Sequence, residues 1–542
     1  MPAGLYTRRI YFKLGEGMDR ILVTEKIGDA GVTALRAAAA VDVRLNLTPD
    51  TLKEILPQYD ALVVRSQTKV TDDVLAAGER LRVVGRAGTG VDNIDLAAAT
   101  RRGILVVNAP ASNSVAVAEL TIGLLIGLAR HIPQAHASLA GGKWERGKFM
   151  GTEVRGKTLG LLGLGRIGAE VARRARALEM KLLAYDPFIS EERAAQLGVQ
   201  PASLDEILRE SDVISLHMPL TDGTRNLINA DRINQMRKGA WIINCARGGL
   251  VDEAALFDAL ERGQIGAAAL DVWAKEPPTG APLLSHPRVI GLPHLGASTE
   301  EAQALTAADV AEGVVDALAN RTPRYAVNAP FVPPEEWGVV APYIELGRLL
   351  AKLSRQLLDE PARAFEIVYA GDLAEHTTEP IRLAVLAGLL EETSEARVTP
   401  VNAALIARER GLAVSERKQP DADQYAALLE LRVRTADGEE HTFGGTALQD
   451  EPHIVLVDGY RLDLVPSQSM VFTFHRDRPG LIGLVGTLLG KTDINISSMH
   501  VGRMAPRGEA MMVLTVDEPV PPSAVAEIVA LGDIHRAYSV QL

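Results

Sequence analysis

Three residues whose types could together manage a proton and a hydride close successive apolar runs in the middle of the chain. They are Arg247 in NCARGGLVDE after AWIIN, Glu276 in WAKEPP after AAALDVW, and His294 in LPHLGAST after VIGLP. A histidine can take the proton of an alcohol as it is oxidised, a contribution of roughly 10²–10⁴ in rate. A carboxylate on its second ring nitrogen fixes the tautomer. A guanidinium grips a carboxylate or carbonyl oxygen with two parallel N–H bonds that a lysine does not reproduce. Taken singly, each of these residues is most often an ordinary turn or surface residue. Their joint occurrence at consecutive strand ends points to a site, because ligands of an open parallel sheet gather at the carboxyl ends of its strands.

A hydride needs an acceptor, and KTLGLLGLGRIG supplies the place for one. The run reads as a strand, a glycine turn and a helix start. Gly163 permits the tight turn, Gly165 lets backbone approach a pyrophosphate, and Gly168 lets the helix pack close to the sheet, while the helix N-terminus offers free N–H groups to phosphate. A second strand, LLAYD, ends at Asp186, 18 residues after Gly168. That is close to the offset of about 20 residues for the acid that bonds a ribose 2′-hydroxyl. A 2′-phosphate would meet this carboxylate with no adjacent arginine to compensate, so NAD is favoured over NADP.

These residues need a scaffold. A chain of 542 residues is too long for one core, and about three or four domains are expected. From Met18 to about Asn108, apolar runs (RILVTE, ALVVRS, LRVVGRA, ILVVNA) alternate with helix-like stretches, the βαβ signature of a parallel sheet. A second alternating series follows the glycine turn. The helix-like EAQALTAADVAEGVVDALAN has no strand of its own, so the chain is expected to cross back and complete the first unit, leaving the nucleotide unit as an insertion. A Pro-rich connector near residue 330 opens different material, with an amphipathic helix and two hairpins turning on Asp437-Gly438 and Asp458-Gly459, both expected as type I′ turns. Residues 469–542 read βαββαβ, the ferredoxin-like order.

Composition narrows the function. A formal net charge of −12 argues against nucleic acid as a partner. ELTIGLLIGLARHI is interrupted by Glu119, Arg130 and His131, so no membrane span is expected. The single cysteine, Cys245, excludes an internal disulfide and suits a reducing cytoplasm. Residues 1–17 lack the apolar stretch of a secretory signal and read as an extension. No metal site is expected.

NCARGGLVDEAALFDAL, ALDVWAKEPP and PHLGAST resemble the signature segments of the D-isomer-specific 2-hydroxyacid dehydrogenases. GRAGTGVDNID, GKWERGKFMGTE and GKTLGLLGLGRIG resemble, within that family, the long-form branch that oxidises 3-phosphoglycerate to 3-phosphohydroxypyruvate with NAD. The resemblance runs from about Met18 to the C-terminus. It implies Arg247, Glu276 and His294 as the catalytic triad. It implies a fold of two doubly wound α/β units, a flavodoxin-like substrate domain (residues 18–117 and 299–328) and an inserted Rossmann domain (118–298). An α+β intervening domain (331–465) and a ferredoxin-like ACT domain (468–542) would follow. It places Arg166 and Ile167 at the pyrophosphate, Asp186 on the adenosine ribose, and Cys245, Ala246, Asp271, Thr89, Gly296 and Ala297 around the nicotinamide half. Met218 stands where some relatives carry Thr, which removes a side-chain hydrogen bond there. A Cys245 beside a cofactor invites a redox role, but a small apolar residue packed on the cofactor is the simpler reading.

Arg65, Arg86 and Asn113 end or open elements of the first unit facing the same cleft, which suits a dianionic phosphate. Arg146 is a further candidate for this pocket, in its own chain or a neighbour's. HRDRPG and DINISS match ligand-binding segments of ACT domains and nominate His475, Asp477 and Asn495 as contacts for an L-serine effector. For Asp477, helix capping ahead of Pro479 is the plain alternative. The intervening segment implies a homotetramer. The competing expectations are a different D-2-hydroxyacid dehydrogenase, including one with 2-hydroxyglutarate side activity, and an NAD-responsive binding protein without catalysis.

Overall fold

The structure, a computed structural model, describes residues 18–542 except 320, 322, 331, 334, 395 and 396. The extension expected over residues 1–17 lies outside the described residues.

Five parallel strands form the first sheet: β1 (Arg20–Val23), β2 (Ala40–Val43), β3 (Ala61–Val64), β4 (Val83–Arg86) and β5 (Leu105–Asn108), in the order β2-β1-β3-β4-β5. This is the flavodoxin-like order. β3 is wholly buried, as a parallel strand covered on both faces must be. One of those faces is covered by the helix Glu300–Leu318, whose Ala307, Val310, Ala311 and Val314 share a core with Ile21, Val23, Val63 and Val83. The chain therefore does return to the first sheet after the second is complete.

The second sheet is also all parallel, with β6 (Thr158–Leu162), β7 (Lys181–Tyr185), β8 (Gln200–Pro201), β9 (Val213–Leu216), β10 (Ala240–Asn244), β11 (Ile265–Leu270) and β12 (Val289–Gly291). Its order, β12-β11-β10-β9-β6-β7-β8, reverses at β6. That is the Rossmann switch point, where a dinucleotide lies across the carboxyl ends. The apolar helix Ser114–Arg130 enters from the first sheet and packs Val117, Leu124, Leu125 and Leu128 against Leu159, Leu161, Val171 and Ala175. No single described helix is long and apolar enough to cross a membrane.

The third sheet is mixed: β13 (Ala362–Gly371), β14 (Val414–Gln419), β15 (Ala427–Thr435), β16 (Glu440–Leu448), β17 (Glu451–Val457) and β18 (Tyr460–Leu464), with only β13 and β14 paired in parallel. Asp458 and Gly459 both take positive φ (48° and 80°), as a type I′ turn requires. The other hairpin departs from expectation. Ala436 lengthens its loop, only Gly438 is left-handed (φ 93°), and the Asp437 carboxylate accepts from Thr435 Oγ1 (2.6 Å) and Glu439 N (3.2 Å). A longer loop needs one left-handed residue rather than two.

The last unit comprises β19 (Ser469–Arg476), a helix (Leu481–Lys491), β20 (Ile496–Arg503), β21 (Glu509–Val516), a helix (Pro522–Val529) and β22 (Ile534–Gln541), in an antiparallel sheet ordered β20-β21-β19-β22. Its β19 and β21 contribute Met470, Phe472, Met511 and Val513 to a cluster that also holds Tyr343, Tyr369, Phe443 and Val457 of the preceding segment. The third and fourth sheets thus share one hydrophobic core.

Candidate active site

The carboxyl ends of the first two sheets face each other across a cleft of about 460 Å³. Its lining includes Arg247, Glu276 and His294, each from the segment following β10, β11 or β12. His294 Nδ1 lies 2.9 Å from Glu276 Oε2, and Glu276 Oε1 accepts from Trp273 N at 3.2 Å. A carboxylate only accepts, so Nδ1 carries the proton toward it and Nε2 is left as the free basic nitrogen. His294 holds a left-handed backbone (φ 57°), a conformation that costs on the order of 1–3 kcal/mol and persists only where surroundings enforce it. Here the enforcement is visible. His294 N donates to Asp271 O (2.9 Å), while the buried Asp271 carboxylate accepts from Leu295 N (2.6 Å) and Gly296 N (2.8 Å). Trp273 adds a strut, its indole N–H donating to Leu292 O at 2.9 Å.

Arg247 donates from Nε to Asp92 Oδ2 (3.2 Å) and from Nη1 to Ala246 O (2.8 Å). Arg65 and Arg86 line the same cleft. Arg86 Nε is buried without a hydrogen-bond partner among the described residues, and burial together with the Arg247 charge lowers the pKa of the side chain to about 10. A guanidinium in this state is still charged at neutral pH, with Asp92 and Glu25 only partly offsetting its charge, which suits an anionic ligand. Asn113 Oδ1 accepts from Thr89 Oγ1 at 2.8 Å, tying the start of the crossing helix to the loop after β4.

The dinucleotide cradle extends from this cleft through Ile167 and Met218. A Cβ on Gly163 would lie 2.6 Å from His217 O, and one on Gly168 2.2 Å from Gly163 O, so both positions exclude a side chain. A Cβ on Gly165 would meet nothing, leaving its backbone open to a ligand. The helix Arg166–Ala177 has no side-chain cap on its first N–H groups, which are the donors a pyrophosphate uses. Asp186 accepts from Leu164 N (2.8 Å) and Phe188 N (2.9 Å), so its carboxylate is fixed beside the glycine turn with lone pairs to spare for ribose. These residues fit NAD.

Residues 122–296 match the NAD-binding domain of the D-isomer specific 2-hydroxyacid dehydrogenases, residues 339–458 the D-3-phosphoglycerate dehydrogenase intervening domain, and residues 469–533 the ACT domain. D-3-phosphoglycerate dehydrogenase of Synechocystis sp. is 46% identical over 526 residues, 97% of this chain and 95% of that protein. Its counterpart from Methanocaldococcus jannaschii is 44% identical over 95% of this chain and 98% of its own length. The chain belongs to the D-3-phosphoglycerate dehydrogenase family. Among solved structures, D-lactate dehydrogenase from Aquifex aeolicus complexed with NAD and lactic acid covers 58% of this chain and all of its own length (TM-score 0.52, 28% identity). A glyoxylate reductase from Paecilomyes thermophila covers 59% of this chain and 99% of its own (TM-score 0.54, 30% identity). The protein is an NAD-dependent oxidoreductase.

For a member of this dehydrogenase family, the remaining candidates divide sharply. Thr89, Cys245, Ala246, Asp271, Gly296 and Ala297 all line the cleft. Cys245 is enclosed, and burial pushes its thiol up to about 12, so it packs rather than reacts. Arg146 sits exposed on the short turn Arg146–Phe149 and lines none of its own chain's cleft. The effector trio does not converge within one chain. β19 and β20 run in the same direction on either side of β21, so His475 and Asp477, at the end of β19, and Asn495, before the start of β20, lie at opposite ends of the sheet. Asp477 Oδ2 takes Arg507 N (3.2 Å) and Arg503 Nη1 (3.4 Å), while Asn495 Nδ2 donates to Asp517 (2.6 Å).

Sequence reasoning missed Gly88, Gly90, Asp92, His217, Ser298 and Gln303, all of which line the cleft. A signal existed for the glycines of GRAGTG. A Cβ at Gly88 would fall 1.4 Å from Arg86 Nη1, and one at Gly90 2.1 Å from Arg247 Nη2, so a side chain at either position would displace a guanidinium from the cleft.

Proposed function

We propose that the protein oxidises 3-phospho-D-glycerate to 3-phosphohydroxypyruvate with NAD, the first step of L-serine biosynthesis. The observation that carries this reading is the placement of Arg65, Arg86 and Arg247 in one cleft with His294, with the Nε of Arg86 buried and without a hydrogen-bond partner among the described residues. Arg247 holds the substrate's carboxylate, and Arg65 and Arg86 hold its phosphate, with Asn113 adding an amide donor. His294 Nε2 takes the hydroxyl proton while Glu276 keeps Nδ1–H in place, favouring the proton's arrival by its negative charge. NAD would supply the acceptor for the hydride that leaves the carbinol carbon. Gly163, Gly165, Arg166, Ile167 and Gly168 hold its pyrophosphate and Asp186 its ribose.

In this reading residues 18–117 with 299–328 select the substrate, 118–298 bind NAD, 331–465 intervene, and 468–542 sense an effector. L-serine is the effector we propose, bound between two copies, because a ligand touching His475, Asp477 and Asn495 needs one end of the last sheet from each of two chains. A homotetramer in the cytoplasm, with Arg146 reaching a neighbour's cleft, completes the proposal.

NADH formation measured with 3-phosphoglycerate, D-glycerate, D-lactate and D-2-hydroxyglutarate tests it. The phosphorylated acid should exceed the others in kcat/KM by at least about 100-fold, the scale of losing charge-assisted hydrogen bonds to phosphate. A preference for an unphosphorylated acid would refute the substrate assignment, and activity with none of them would favour a binding protein.

A further inference from the structure

The cleft contains one carboxylate with no place in the chemistry described so far. Asp271 is spent on Leu295 N and Gly296 N, and Glu276 on His294 and Trp273 N. Asp92, from the loop after β4 on the substrate side, reaches across to Arg247 on the nucleotide side and accepts from Nε at 3.2 Å.

We propose that Asp92 is the positioning residue for Arg247: it clamps one edge of the guanidinium from the opposite side of the cleft, so that the remaining N–H groups face the substrate's carboxylate. The inference rests on the reading that Arg247 grips that carboxylate. Its geometry is specific. Nε is held by Asp92 and Nη1 by Ala246 O, while Nη2 lies over Gly90 with no protein acceptor among the described residues. An arginine side chain tied at two donors has few rotamers left, so little entropy is lost when the free donors bind.

The same carboxylate also offsets charge. Arg247 disfavours the charged form of Arg86 and Asp92 favours it, so Asp92 lies within electrostatic reach of both guanidiniums. Without Asp92 the repulsion between the two cations is offset less, and Arg247 is free to swing away. Fold stability is a poor reason for the pair. The Asp92 side chain is 69% exposed, and exposed ion pairs contribute little to stability.

Asp92→Asn and Asp92→Glu in the full-length protein test the idea, with kcat, KM, the NAD dissociation constant and the melting temperature as readouts. Asp92→Asn should lower kcat/KM by about 10- to 100-fold, the scale of a misplaced substrate-holding group. Most of that loss should appear as a higher KM for the hydroxy acid. NAD affinity and melting temperature should be unchanged, and Asp92→Glu should recover part of the loss. The factor should be the same for 3-phosphoglycerate and D-glycerate, because Arg247 serves the carboxylate they share.

Wild-type KM and kcat in Asp92→Asn would overturn the proposal. So would a lower KM, which would mark Asp92 as a competitor of the substrate, or a loss of NAD affinity or melting temperature in step with activity. If the wild-type protein prefers another hydroxy acid, the substrate reading fails while the Asp92 measurement proceeds on that acid.

Discussion

His294 in the cleft and His475 at the end of the last sheet occupy opposite kinds of site. The His294 side chain is 49% exposed, sits on a strained loop and faces a carboxylate. His475 is 3% exposed, lies within β19 and has Nδ1 3.2 Å from Thr473 Oγ1. Burial lowers the pKa of His475, which keeps it neutral. A histidine that exchanges protons with a substrate needs access and a partner for the charge it acquires, and His294 has both. A neutral, enclosed imidazole can only hydrogen-bond. The two ends of the molecule differ in the same way as a whole: the cleft gathers its residues within one chain, whereas the trio at the far sheet is split between opposite ends of that sheet.

The largest effect that could break this contrast belongs to His294→Asn. Turnover should fall by roughly 10²–10⁴ with NAD affinity retained, as steady-state kinetics and a nucleotide titration would report. Undiminished turnover would remove the proton-transfer role and leave His294 no different in kind from His475.

A third histidine sharpens the comparison at a smaller scale. His217 lines the cleft, yet its Nδ1 is buried without a hydrogen-bond partner among the described residues, its Nε2 meets Ser215 Oγ at 2.9 Å, and burial lowers its pKa to about 4. The unfolded chain therefore binds a proton between pH 6.5 and 4 that the folded chain refuses. The stability contributed by neutral His217 is complete above pH 6.5 and is lost as pH falls toward 4, on the order of 3 kcal/mol in all. Denaturant melts of wild type and His217→Gln over that window should differ in slope. Parallel curves would show that His217 is not held neutral and that exposure, rather than pairing, separates the cleft histidines.

What could be read before the fold was known follows from the range of the interactions involved. The meeting of Arg247, Glu276 and His294 in one cleft was legible because each closes a strand, and parallel sheets bring strand ends together whatever the intervening loops do. The glycine turn and Asp186 were legible because Gly163, Gly168 and the Asp186–Leu164 bond are local to one βαβ unit. Asp92 was not, since its partner Arg247 is distant in sequence and neither residue signals the other. The Asp437 hairpin was misjudged because turn type depends on loop length, which Ala436 changes without altering the Asp-Gly pair. The core shared by the third and fourth sheets was invisible for a similar reason: apolar strand residues show that a face is buried, not what buries it.

The smallest expected effect concerns Asp477, where the contrast between the two sites is most exposed to test. Its carboxylate is already shared by Arg507 N and Arg503, and its own N–H donates to Gly508 O (2.8 Å). The local loop thus has a structural use for Asp477, which limits how much of the charge is left for an incoming ammonium group. A charge-assisted hydrogen bond is worth about 1.5–3 kcal/mol, and a carboxylate partly satisfied by its own loop should give the lower end of that range. Asp477→Ala should then raise the L-serine concentration for half-maximal response by about tenfold, which corresponds to ~1.4 kcal/mol, as initial rates over an L-serine series would show. An unchanged concentration would assign Asp477 to the loop alone, and the far sheet would have to recognise its effector through His475 and Asn495.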